Sequence, residues 1–289
     1  MPAARVSQLK EKIAAVKEQV RKLRQIEKQL QQTPDQQLSL TDPDARSMAT
    51  SGRGTGIVGY NVQAVVDIQH HMIVAHEVTN VGHDRSQLTA MSKLARDAIG
   101  ENKLTVLADR GYFDGEEILQ CAEEHITTLV PKPITSNSRA NGRFDKRDFI
   151  YVAERNEYRC PVGETAIWRM TTVENGRKMH RYWPSACPRC PIKSRCTPSD
   201  YRRIARWEHE QVLDDMQHHL DRLPHASRLR RQTAEHPFGT LKMWMGSTHF
   251  LTKTLPRVRT EMSLQVLAYN LKRALSIFGT EVLVRFMRA

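Results

Sequence analysis

Val106-Leu107-Ala108-Asp109-Arg110-Gly111-Tyr112 is an apolar run that stops on a carboxylate and turns at a glycine. The run opens at Leu104 and reads as a short strand, with Asp109 where strand gives way to turn. Downstream, residues 115–124 have helical spacing and lead to a second apolar run over 126–130. Strand, helix, strand is the unit that builds a parallel pair. Upstream, Val58, Tyr60, Val62, Ala64 and Val66 alternate, and residues 72–78 run back after Gln69-His70, which predicts an antiparallel hairpin with an exposed turn at His70 and His71. Asp84 is the expected N-cap of a helix over 85–99. Residues 38–42 read as a shorter first strand, and 51–56 as a glycine-rich turn. Antiparallel and parallel pairing together predict an α/β chain with a mixed sheet flanked by helices.

Outward from that core the texture changes twice. At the start, Val6, Leu9, Ile13, Val16, Val20, Leu23 and Leu30 follow a heptad broken at Glu27, a helix over 1–33 that serves as a coiled coil or as a helical linker. Residues 131–199 gather Pro, Asn, Gly and all but one of the cysteines, and read as a Cys-rich subdomain inserted into a core whose first part is 34–130. Helical patterns over 204–223, 226–244 and 257–278 make 200–289 the second part of the core.

Forty-four Lys and Arg against 32 Asp and Glu give a net charge of +12 and a pI near 9.7. That excess favours a polyanionic partner through counterion release, although a basic protein need not bind nucleic acid. No apolar run approaches the roughly 18 residues of a membrane span, and the polar start has no signal-peptide core. The expected place is the cytoplasm, where thiols stay reduced, so five cysteines are expected to be buried, reactive or metal-bound.

In-line attack at phosphorus needs two divalent cations roughly 3.5–4 Å apart, and hard cations take carboxylate oxygens. Such carboxylates are distant in sequence, so single acidic residues at strand ends matter. Asp42 and Asp44 lie in Leu40-Thr41-Asp42-Pro43-Asp44-Ala45-Arg46, Asp109 ends its strand, and Glu235 lies in Arg231-Gln232-Thr233-Ala234-Glu235-His236-Pro237-Phe238-Gly239-Thr240-Leu241-Lys242. Each alone is more often a turn or cap residue than a ligand, because its side chain bonds nearby backbone N–H groups.

Together the segments carry a resemblance. Ala108 to Tyr112 and Glu235 to Lys242 resemble the second and third catalytic segments of DDE transposases of bacterial insertion sequences, closest to the insertion-sequence eleven-eighty-two type. Tyr60-Asn61-Val62-Gln63 with Asp67, and Ala268-Tyr269-Asn270-Leu271-Lys272-Arg273, are similar to further segments in the same order. The resemblance implies an RNase H-like mixed sheet and a strand-cleaving and strand-joining enzyme acting on double-stranded DNA, both transposon ends and target. It implies two Mg²⁺ or Mn²⁺ ions held by Asp42, Asp109 and Glu235, a homodimer assembled on DNA, and a place on the bacterial nucleoid. Asp44 and Asp67 remain alternatives for the first carboxylate.

Related enzymes also carry Tyr, Arg, Glu and Lys around the catalytic Glu; here Arg228 stands at the Tyr position and Arg231 and Lys242 match in type and spacing. On one unbroken helix these would share an arc of roughly 60° and contact DNA phosphates, a continuity that Pro237 and Gly239 oppose. The bland alternative for these bases is a solvated helix face. Two rival readings are a non-catalytic zinc-containing DNA-binding remnant and a general nuclease of the same fold.

Cys160, then Cys187-Pro188-Arg189-Cys190, then Cys196 have the ligand count and spacing of tetrahedral zinc; free structural thiols and an iron–sulfur cluster are the alternatives. Cys121, beside Ile118 and Leu119, is expected in the core, as are Trp183, Trp207 and Trp244.

Overall fold

The computed structural model describes residues 3–48, 56–133 and 137–288. The glycine-rich turn expected over 51–56 lies outside them except for Gly56. The chain divides into two compact units, one of residues 1–101 with 228–289 and one of residues 102–227.

In the first unit α1 (Ala3–Gln32) is one continuous helix, and Leu9, Ile13, Val16, Val20 and Leu23 of its heptad are all exposed. No strand forms over 38–42: that segment is irregular, held by hydrogen bonds from Asp42 N to Ser39 Oγ (3.3 Å) and from Ala45 N to Asp42 O (3.1 Å). The physical reason is the Asp-Pro-Asp sequence, which favours turn bonding over a ladder. The strand β1 begins four residues later (Arg46–Met48) and pairs antiparallel with β2 (Ile57–Gly59). Gly82 is required beside it, because a Cβ there would stand 2.5 Å from Ser47 O.

The expected hairpin forms from β3 (Asn61–Val66) and β4 (Ile73–Thr79), with Val62 opposite Val78 and Ala64 opposite His76. Tyr60, Val62, Ala64 and Val66 turn toward a core of Ile73, Val78, Leu241, Val258, Met262, Val266 and Tyr269, whereas Val58, on β2, is exposed. Val258, Met262, Val266 and Tyr269 recur at helical spacing, so α6 (Leu255–Phe278) lays one stripe on the hairpin. The helix α2 (Leu88–Ile99) starts three residues later than expected, with Gln87 at the N-cap position and no side-chain cap.

In the second unit β5 (Leu104–Leu107) and β6 (Ile126–Leu129) pair in parallel across α3 (Gly115–Glu123), as the sequence predicts. Among the described residues the first unit holds two antiparallel pairs, β1–β2 and β3–β4, while the parallel pair β5–β6 lies in the second. The same unit holds a five-stranded antiparallel sheet of β7 (Ile150–Val152), β8 (Glu157–Arg159), β9 (Thr165–Glu174), β10 (Arg177–Trp183) and β11 (Ile204–Trp207), in the order β11-β10-β9-β8-β7. The helix expected over 204–223 is corrected here: residues 204–207 pair with β10, and α4 runs only over Glu210–Asp221. Ile204, Arg206 and Trp207 are buried by that pairing, and tertiary burial overrides local helical spacing. Phe149, Tyr158, Ala166, Tyr182 and Ile204 form the core of this sheet.

Candidate active site

Asp109 follows β5 directly. Ala108 N donates to Leu129 O at 3.2 Å, extending the β5–β6 pairing by one residue, and the half-buried Asp109 then caps a short 3₁₀ turn by accepting from Gly111 N at 2.7 Å. The strand end and the Arg-Gly turn place this carboxylate as the sequence predicts.

Asp42 is only 9% exposed, and protein donors surround its carboxylate. Oδ2 accepts from Tyr60 Oη at 2.7 Å, Oδ1 accepts from Asp44 N at 3.2 Å, and Thr254 N lies 3.2 and 3.3 Å from the two oxygens. Asp44 accepts from Leu255 N at 2.8 Å, so both aspartates cap the start of α6 (Leu255–Phe278). Thr254 between them takes φ +70°, a left-handed value that a β-branched residue rarely adopts, and the caps hold it there. Burial, then the hydrogen bond to Asp42 and the Asp42 and Asp44 charges, push the Tyr60 phenol well above its ordinary pKa. Asp67 binds the backbone N–H of His70 and serves the hairpin turn.

Glu235 projects from α5 (Ala226–Gly239). Its carboxylate is open to solvent, with Arg231 Nε 3.9 Å away one turn earlier and both side chains about two-thirds exposed. Arg228, Arg231 and Lys242 are all exposed. Pro237 does not stop the helical path: it sits inside α5, and a π-helical turn, Thr240–Trp244, follows. That turn winds more slowly than an α-helix, so Lys242 departs from the arc that uniform α-helical geometry predicts for it.

The sequence reading missed two clusters beside these residues. His71 is not exposed: its ring stacks on His236 with centroids 4.7 Å apart, and its Nδ1 is buried with no hydrogen-bond partner. His236 Nδ1 lies 3.1 Å from Tyr269 Oη, which donates to His71 O at 2.6 Å, and burial followed by the His71 and Arg273 charges lowers the His236 pKa. Asp84 does not cap α2 (Leu88–Ile99) with its side chain; its Oδ1 accepts from Asn61 Nδ2 at 2.8 Å and from the buried Gln63 Nε2 at 2.7 Å. The Tyr-Asn-Val-Gln segment, alternating polar with apolar on a strand, is the signal that could have found it. Trp207 is in the core, but Trp244 is 82% exposed, with Lys272 Nζ 5.9 Å from its ring centroid.

The four predicted zinc ligands come together. Cys160, Cys187, Cys190 and Cys196 line one pocket, while Cys121 is fully buried elsewhere in the same unit. Burial pushes the Cys196 thiol up, and Arg202 opposes that shift. Asp42 and Glu235 belong to the first unit and Asp109 to the second. Among the described residues no three His, Cys, Asp or Glu side chains already stand at metal-holding geometry.

Residues 28–271 match the family model of the transposase DDE domain. No curated protein and no solved structure matches the chain.

Proposed function

Because the chain belongs to the transposase DDE-domain family, we propose that it cuts strands at the ends of an insertion sequence of the eleven-eighty-two type and joins the freed 3′ hydroxyl to target DNA. Family membership brings a DNA substrate and an RNase H-like fold, and the match over residues 28–271 is the observation that carries the reading. The reacting centre is assigned to Asp42, Asp109 and Glu235.

Three carboxylates are the hard oxygen donors that Mg²⁺ and Mn²⁺ take, and the donor set fits such ions. The Glu235 carboxylate is open to solvent. Each oxygen of the Asp42 carboxylate accepts two contacts, from Tyr60 or Asp44 and from the shared N–H of Thr254, so an ion bound there takes the place of one side of the shared Thr254 contact. When bound, a pair of such ions activates the attacking oxygen and stabilises the leaving one. The chain's own groups do the positioning. Tyr60 and the start of α6 hold the Asp42 carboxylate in one orientation, and the exposed Arg228, Arg231 and Lys242 contact the DNA backbone beside Glu235. Two copies working on two DNA ends make the homodimer the working form, on cytoplasmic, nucleoid DNA.

The test is Mg²⁺-dependent cleavage and joining of a DNA that carries the native element end, with binding measured for every variant. Asp109→Asn and Glu235→Gln keep side-chain size and remove charge, so cleavage is expected to fall about a thousandfold, several kcal/mol of transition-state stabilisation, with binding little changed. Asp42→Asn should fall as far, and Asp44→Asn and Asp67→Asn less. Parental cleavage by Asp109→Asn would overturn the catalytic assignment; cutting without end preference or joining would point to a nuclease instead.

A further inference from the structure

At one end of the five-stranded sheet, four cysteines reach a common cavity from three separate turns. Cys160 opens a tight turn in which Gly163 N donates to Cys160 O at 2.8 Å, with Gly163 at φ +85°. Cys187 and Cys190 bracket a 3₁₀ turn closed by Cys190 N donating to Cys187 O at 3.2 Å. Cys196 ends a third turn, its N–H donating to Lys193 O at 2.9 Å. The cavity they line has about 30 Å³ of accessible space, room for one ion or a water molecule.

A second feature points into the same place. Arg202 also lines the cavity, with its guanidinium carbon 5.5 Å from the Phe149 ring centroid. Its Nε is buried and has no hydrogen-bond partner. Buried charged donors are ordinarily satisfied, so this N–H implies an acceptor beyond the neutral thiols, which accept weakly.

We propose that Cys160, Cys187, Cys190 and Cys196 bind one zinc ion as thiolates, and that Arg202 donates its Nε–H to one of the bound sulfurs. Four S–H bonds break as four Zn–S bonds form, and the four protons pass to solvent. The resulting site carries two negative charges, one of which Arg202 offsets. The thiols line the cavity without already standing at metal-holding geometry, so binding the ion draws them together. Zinc would tie the turn after β8 to the segment between β10 and β11, closing one end of a sheet whose core cluster, among the described residues, has five buried members. The proposal is independent of the catalytic reading.

Elemental analysis of the purified full chain should find one zinc per molecule. Cys187→Ser with Cys190→Ser should abolish it, and Cys121→Ser should leave it at one. Replacement of zinc by cobalt should give the intense visible absorption of a tetrahedral thiolate site, a readout that needs no Cys variant to fold. Arg202→Gln should keep the stoichiometry and speed metal loss to a chelator about 10- to 100-fold. Metal-free protein that takes up neither zinc nor cobalt, iron in place of zinc, or zinc content unchanged in the double Ser variant would overturn the site. An unchanged release rate in Arg202→Gln would overturn the role of Arg202.

Discussion

Asp42 serves two demands at once. Its carboxylate caps the start of α6 and accepts from Tyr60, and the same group is assigned to the reacting centre. A charged cap to backbone N–H groups is worth about 1–2 kcal/mol, so Asp42→Asn should lower stability by about that much as well as cleavage. Tyr60→Phe separates the two roles: it removes one hydrogen bond, about 1 kcal/mol, and leaves the charge of Asp42 in place. We expect a small drop in unfolding free energy and a fall in cleavage much smaller than that of Asp42→Asn. Denaturant unfolding and cleavage measured on both variants check this; equal losses of cleavage would make orientation by Tyr60, rather than charge, the decisive contribution of this corner.

At the scale of elements, α1 has an apolar seam that no other described residue covers: Leu9, Val16 and Leu23 are about 60% exposed. Lys10, Lys17 and Arg24 flank the seam on one side, and Lys12 flanks it on the other. Pairing with a second copy buries the leucines but brings like charges together. Self-association through α1 is therefore expected to strengthen as salt screens that repulsion, opposite to the weakening that salt causes in DNA binding. Sedimentation of the chain with and without residues 1–33, at low and high salt, reads this directly. Equal masses at both salts would leave α1 as a linker.

For the whole molecule, charge pairing inside the second unit sets an acid limit. Burial by itself would push the Glu210 carboxyl up, but Lys146, with Lys132 3.7 Å away, outweighs it and holds the carboxyl below its ordinary value of 4.5. Glu210 also accepts from Trp207 N at 2.9 Å, tying α4 to β11. A folded pKa that is depressed contributes stability present above pH 4.5 and lost as the pH falls through the folded value. Glu210→Gln should cost about 2 kcal/mol at pH 7, and the gap between parent and variant should narrow toward pH 3. Tryptophan fluorescence during denaturant unfolding at both pH values measures it, and a gap of constant size would exclude the ion pair as its source. Among the described residues no helix is long and apolar enough to cross a membrane, consistent with the basic, polar composition.

Local pattern alone determined the hairpin of β3 and β4, the strand, helix and strand from Leu104 to Leu129, the helix α6 and the turn position of Asp109. Each is short-range: alternation or helical spacing selects the element, and a Gly or Asp at its end stops it. Spacing also named the four cysteines that one pocket gathers. What only tertiary structure decided depends on partners distant in the chain. Residues 204–207 could have begun a helix, but the free edge of β10 takes them as a strand. Asp84 could have capped α2, but its carboxylate accepts from Asn61 and Gln63 instead. His71 belonged by sequence to an exposed turn, yet His236, far along the chain, covers its ring. Asp42 was expected at the end of a strand, and it is instead fixed by the backbone of Thr254, 212 residues away. A carboxylate or an imidazole takes whichever donors or surface the packed chain brings within about 3 Å, and local spacing does not contain that information.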